Sequence, residues 1–275
     1  MAISDASFNI VRANPAFAEI AGLPPRKLYG KNLLDFLDGR HGRVPDLEKL
    51  RKQLDVRGAW HGEVWMKGTG DKPLPYLLTA SPARNPQGEL QHFILSLTNI
   101  TERVEAEKHM HRLAHYDTLT GLPNRTSLEN HLGRAIQQAR ASGHSFAMMF
   151  LDLDRFKPVN DTYGHQVGDE LLINVARRLS HNLRSCDIVG RQGGDEFVVI
   201  TGALNSSDEA RTIADKVITA LNEPFHIQDR HLQIGASVGV ALYPDDGQSA
   251  DELMRKADRA MYKVKNKGRN SVAFA

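Results

Sequence analysis

Cysteine is nearly absent, with Cys186 the sole thiol in 275 residues. One cysteine excludes an internal disulfide and suits a reducing cytosol, and the residue reads as a small buried or half-buried hydrophobe rather than a nucleophile. No run of about 20 apolar residues is present, so a membrane-spanning helix has no support. The chain does not open on a charged segment leading into an apolar one, which removes the argument for a secretory signal. The expected location is the cytoplasm. Charge of one sign is not in excess either, since 35 Lys and Arg stand against 33 Asp and Glu for a net +2. Total charge therefore gives no argument for a nucleic-acid partner, and an anionic ligand has to be met locally. Neither an internal repeat nor a low-complexity tract is found.

What is present is ordinary globular material, 41% hydrophobic and 25% charged, enough for two modest domains. Residues 1–98 alternate short apolar segments such as "HGEVWMKG" and "LPYLLTASPAR" with turn-forming "GTGDKP" and "NPQGE", the pattern of an antiparallel sheet. The next stretch, "TNITERVEAEKHMHRLAHYD", has no glycine or proline and predicts a connecting helix over 99–114 with Thr101 as its N-cap. Ile100, Val104, Met110 and Leu113 give it a ragged apolar seam, a weak parallel coiled-coil signal. His111 and His115 have metal-like spacing but read as a solvated face. His41 reads as a loop histidine rather than a haem ligand.

Residues 115–275 change period from segment to segment. "FAMMFLDL" is a continuous apolar run, as a strand covered on both faces should be. Val167, Leu171, Val175, Leu179 and Leu183 then recur every four residues, an apolar stripe on a helix. "DIVGRQGGDEFVVIT" reads strand, tight turn, strand. Ala210, Ile213, Ala214, Val217 and Leu221 mark another helix, and Leu232, Ile234, Ala236, Val238 and Val240 one face of a further strand. Ser249 and Glu252 form a capping box for a last helix, apolar at Leu253, Ala257, Met261 and Val264. The order is βαββαβ with helices added before and near the end, which predicts an α+β, ferredoxin-like sheet.

Acidic residues end the first of these strands. Asp152 and Asp154 point to one face, and unpaired carboxylates leaving a core cost several kcal/mol unless a cation or donors meet them. In the βαββαβ order the hairpin strands lie beside this one and bring Asp195 and Glu196 next to Asp152. Mg²⁺ suits such a cluster because it is held by one or two carboxylates plus substrate phosphates. Gly193 and Gly194 let the turn bend and let a bulky anion approach without Cβ interference. The turn in "FKPVND" offers backbone N–H groups and Lys157 to phosphates, although Pro158 limits that supply. Lys265 and Arg269 flank the glycine that stops the last helix.

At these residues the chain resembles the GGDEF family, the diguanylate cyclases, whose pentapeptide stands at Gly193 to Phe197. "DTLTGLPNR" at Asp117, "FKPVNDTYGHQVGD" at Phe156 and "YKVKNKGR" at Tyr262 follow in the family's order. The resemblance implies that each chain binds one GTP and that a head-to-head homodimer joins two of them into cyclic di-GMP, releasing pyrophosphates. It implies that Asp152, Asp195 and the Leu153 carbonyl hold two Mg²⁺ ions, with Mn²⁺ an acceptable substitute, and that Glu196 serves as ligand or as base for the 3′-hydroxyl. Asn160 and Asp169 would read the guanine edge. Phe156, Gly193 and Gly194 would shape the substrate site, and Lys157, Lys265 and Arg269 would bind outer phosphates. "RSCD" matches the family's RxxD inhibitory site, where Arg184 and Asp187 would bind product.

The N-terminal part resembles a PAS sensor domain through "IVRANPAFAEIAGL", "RGAWHGEVWMKGTGDKPLP" and a closing "TNITER". Met1 stands almost at its first strand, so the expectation is a domain cut short there, with an unknown ligand. The domains are expected at 1–98, 99–114 as a signalling linker, and 115–275. The alternative function is a GTP-binding regulatory module that controls a C-terminal phosphodiesterase domain outside this chain. No EAL-type phosphodiesterase motif is found in these residues.

Overall fold

The computed structural model describes residues 1–40, 53–54, 58–68 and 72–275. They form two compact units, 1–109 and 110–275. His41 and the middle of "GTGDKP" lie outside the described residues. Among the described residues no helix is long and apolar enough to cross a membrane.

The first unit is an antiparallel sheet of β1 (Ala2–Ser4), β2 (Ile10–Ala13), β3 (Trp60–Met66), β4 (Leu74–Arg84) and β5 (Leu90–Asn99), in the order β2-β1-β5-β4-β3. Helix α1 (Pro15–Ala21) begins where the Asn14 side chain accepts the Phe17 N–H, and Gly22 in the left-handed region ends it. Helix α2 (Pro25–Leu28) follows, with Leu28 buried. Phe17, Leu28, Leu33, Met66, Leu78 and Leu95 fill the core around a stacked Phe8–Phe93 pair. Each such side chain contributes about 1.5–3 kcal/mol through burial. Helix α3 (Thr101–His115) buries none of its residues. Thr101 is its first helical residue and not its cap, because Asn99 Oδ1 already accepts the Thr101 N–H at 2.8 Å.

The second unit opens with α4 (Arg125–Ser142), capped by Asn124 Oδ1 on the Ser127 N–H. Strand β6 (Phe146–Asp154) follows, then α5 (Phe156–Tyr163), α6 (His165–Asn182), β7 (Ile188–Gly193), β8 (Glu196–Ile200) and α7 (Ser207–Asn222). A small hairpin, β9 (Phe225–Ile227) and β10 (Arg230–Leu232), precedes β11 (Gly235–Tyr243), α8 (Ala250–Asn266) and β12 (Val272–Phe274). The main sheet runs β12-β11-β6-β8-β7. Its members other than β12 have the ferredoxin-like order, β11-β6-β8-β7, and β12 adds a parallel edge to β11. Three details depart from the sequence pattern. Leu232 belongs to the hairpin, Cys186 is exposed rather than buried or half-buried, and "FKPVND" is helix rather than turn.

All nine residues of β6 are buried, and the period of two decides against what. Ala147, Met149, Leu151 and Leu153 pack with Leu171 and Val175 of α6 and Ala214 and Val217 of α7. Phe146, Met148 and Phe150 pack with Leu128 and Leu132 of α4 and Leu253, Ala257 and Met261 of α8. Asp152 and Asp154 continue this second face, as Glu196 does for Val198 and Ile200 on β8. Gly239 brings α8 down on that face, because a Cβ there would lie 1.9 Å from the Ala257 carbonyl oxygen.

Candidate active site

Asp152 stands opposite Glu196 of β8 on one side and Ser237 of β11 on the other. Asp195 follows in the β7–β8 turn, where its carbonyl accepts the Leu153 N–H at 3.2 Å. Helix α8 brings Lys265 to this corner, its ammonium 2.6 Å from Asp152 Oδ2. Crowding disturbs the acids' protonation. Burial, opposed by the hydrogen bond from Lys265 and reinforced by Asp195 and Asp154, pushes the Asp152 carboxyl above its ordinary range. Burial, followed by the charges of Asp152 and Asp195, raises Glu196 too. Acids held in this way favour a positive partner.

Among the described residues no three carboxylate, imidazole or thiolate side chains converge on one point. A divalent cation fits the corner if ligand phosphates share it, with one or two carboxylates and the Leu153 carbonyl completing the set. Asp154 takes no part in this, and of the two ways to satisfy a buried acid, a cation or donors, it uses donors. Ser237 Oγ donates to its Oδ1 at 2.8 Å and the Asn270 N–H to its Oδ2 at 2.9 Å. Asp154 thus fastens the segment after α8 to the sheet, with Arg269 Nε 4.0 Å away.

The turn itself uses left-handed backbone, with φ of 154° at Gly193 and 53° at Gly194 and open space where a Cβ would stand on either. Arg191 holds it shut. Its Nε and Nη2 donate to the Gly194 carbonyl at 2.9 and 2.8 Å, while Nη1 donates to both Asp117 oxygens at 2.9 and 3.0 Å. Burial alone would raise the Asp117 carboxyl, but hydrogen bonds from Thr120 and the Arg191 guanidinium outweigh it and hold the group below its usual range. Sequence reasoning assigned no role to Arg191 or Asp117. The available signal was the position of Asp117 at the head of "DTLTGLPNR" and of Arg191 two residues before the glycine pair.

Arg155, at φ 63°, turns the chain from β6 straight into α5. Phe156 is buried there and Lys157 exposed. Asn160 lies further along α5, and its Oδ1 is buried with no hydrogen-bond partner. Asp169 is exposed on α6, and Arg269 is exposed after α8. Arg184 and Asp187 form a separate turn before β7. Both Asp187 oxygens are engaged, one by the Arg184 N–H at 3.0 Å and the other by the Gly202 N–H at 2.9 Å. The Arg184 guanidinium pairs with Glu209 at 2.7 Å, so the two residues are not an ion pair with each other.

A model described as the diguanylate cyclase GGDEF domain matches residues 114–271. The chain belongs to the GGDEF family. A PAS-domain model matches residues 1–102, in keeping with the antiparallel sheet of the first unit. The bifunctional diguanylate cyclase/cyclic di-GMP phosphodiesterase MucR of Pseudomonas aeruginosa is 47% identical over 174 residues, 63% of this chain and 25% of MucR. The solved GGDEF domain of TpbB from the same species is 40% identical with a TM-score of 0.57, covering 58% of this chain and 94% of that one. The coiled coil and GGDEF domain of Caulobacter crescentus DgcB, solved with cyclic di-GMP, is 29% identical with a TM-score of 0.57, covering 63% and 93%. The chain spans only 23% to 32% of the length of three curated relatives that it matches. GGDEF diguanylate cyclases generally use divalent metals, which agrees with the donor set around Asp152.

Proposed function

We propose that this GGDEF chain condenses two GTP into cyclic di-GMP and two pyrophosphates. The observation that carries the assignment is the acidic corner, where Asp152 and Glu196 face each other across paired strands with Asp195 in the adjoining turn and Lys265 against Asp152. MucR, 47% identical over 174 residues, bears the diguanylate cyclase activity in its name.

In the proposed reaction the 3′-oxygen of one GTP bonds to the α-phosphorus of the other, and the bond from that phosphorus to the bridging oxygen breaks, releasing pyrophosphate. Asp152, Asp195 and the Leu153 carbonyl would hold two Mg²⁺ ions, with Glu196 as a further ligand or as the base. Bound there, such ions would supply neutralisation of triphosphate charge and activation of the attacking oxygen. Glu196, opposite Asp152 across the paired strands, would be placed to accept the hydroxyl proton. Lys265 would leave Asp152 for the outer phosphates, joined by Lys157 and Arg269. Asn160 and Asp169 would read guanine, whose O6 acceptor and N–H donors suit an amide and a carboxylate, while Phe156, Gly193 and Gly194 would line the approach.

Each site holds half of the reactants, so a homodimer would supply the proximity step, with the PAS unit and helix α3 setting its geometry. Incubating the purified chain with GTP and Mg²⁺ and identifying the nucleotides by mass tests the assignment. Cyclic di-GMP supports it, whereas GTP bound and never converted would favour a regulatory module acting on a phosphodiesterase domain. Product would bind at Arg184 and Asp187, with the guanidinium exchanging Glu209 for phosphate. Arg184→Ala is therefore expected to raise the cyclic di-GMP concentration needed for half-inhibition by roughly tenfold or more, the loss of a charge-assisted contact. Inhibition at unchanged strength would count against that site.

A further inference from the structure

Asn160 Oδ1 is buried and no protein group donates to it. Its seat is made by a residue on the neighbouring helix. A Cβ built on Gly168 of α6 would lie 1.8 Å from Asn160 Oδ1 and 2.9 Å from its Cγ, with Phe156 Cζ at 3.3 Å on the other side. Gly168 is not among the residues with positive φ, so its backbone conformation does not require glycine. It is buried within α6, where an interior glycine is less favourable than alanine. Helix propensity therefore argues against glycine at this position, and only the space argues for it. Phe156 is itself buried at 9% exposure and has little room to retreat. The amide at the end of the Asn160 side chain is what an added methyl would displace.

We infer that Gly168 is a specificity-determining positioning residue. By omitting a Cβ it leaves room for the buried end of the Asn160 amide and so fixes the orientation in which that side chain meets guanine, which sets the preference for GTP over ATP. The inference rests on the proposed reading of guanine by Asn160. It does not make Gly168 a contact of the substrate.

The test is a double-mutant cycle on the full chain, reading affinity for α,β-methylene-GTP by calorimetry, competition by ATP, and KM and kcat for GTP. Gly168→Ala is expected to weaken analogue binding by roughly tenfold, the scale of one lost hydrogen bond when the Asn160 side chain is displaced. It should raise KM far more than it lowers kcat and narrow the margin over ATP. In an Asn160→Ala background, Gly168→Ala is expected to cost no further affinity, since the amide that the added methyl would displace is gone. Equal losses in both backgrounds would overturn the inference, because Gly168 would then act on the fold and not through Asn160. Unchanged affinity in Gly168→Ala, alongside a loss in Asn160→Ala, would overturn it alone. Unchanged affinity in Asn160→Ala would overturn the guanine assignment and this inference together.

Discussion

Asp195→Asn lowers cyclic di-GMP synthesis by at least about 100-fold, the scale for removing a group that stabilises transition-state charge, and leaves the fold intact. Asp195 fixes the turn through its carbonyl, on the Leu153 N–H, a contact that asparagine retains. Its carboxylate raises the pKa of both Asp152 and Glu196. Removing that charge relieves repulsion, so the melting temperature should stay equal or rise. The functional group is thus one that the folded chain holds against its own stability. Turnover within a few-fold of the parent would contradict the assignment of Asp195 to a cation.

Arg191→Ala has the largest expected effect on stability. The Arg191 and Asp117 side chains are only 12% and 21% exposed, and the arginine also satisfies the Gly194 carbonyl. Breaking such a pair by removing one partner costs roughly 3 kcal/mol, or on the order of 10 °C in melting temperature for a domain of this size. Synthesis should fall as well, because the turn carrying Asp195 loses its clamp. Arg191→Lys should rescue part of the stability only, since an ammonium lacks the fork that reaches Gly194 and Asp117 together. The lock also has an acid signature. Asp117 has a folded pKa below its unfolded value of 3.8, so its contribution is present above that pH and is lost as pH falls through the lower, folded value. Thermal melts from pH 6 downward should show a shallower acid decline in Asp117→Asn than in the parent. Parallel declines would show that this carboxylate does not stabilise the fold.

The sequence disclosed those features that depend on a repeating local pattern. The apolar run of β6 predicted a doubly covered central strand, and once β8 lay beside it, Asp152 and Glu196 had to be neighbours. Features made by single long-range contacts were not visible. Asp152 and Asp154 look equivalent two residues apart, yet Asp154 is satisfied by Ser237 and Asn270, 83 and 116 residues away. Arg191 meets Asp117 across 74 residues, and nothing local in "VGRQGGDEF" announces that partner. Gly168 reads as an ordinary weak point in a helix until the Asn160 side chain is placed beside it. The short edge strand β12 and the β9–β10 hairpin are three residues per strand, too brief for alternation to declare itself.

On the proposed reaction, two GTP-loaded chains must meet before either reacts. The most direct measurement is the initial rate of cyclic di-GMP formation from GTP and Mg²⁺ across a wide range of protein concentration, with nucleotides separated and identified by mass. The rate per chain is expected to rise with concentration until the dimer saturates, with two pyrophosphates released for each cyclic di-GMP. Absence of cyclic di-GMP at every concentration, with GTP nonetheless bound, would contradict the claim.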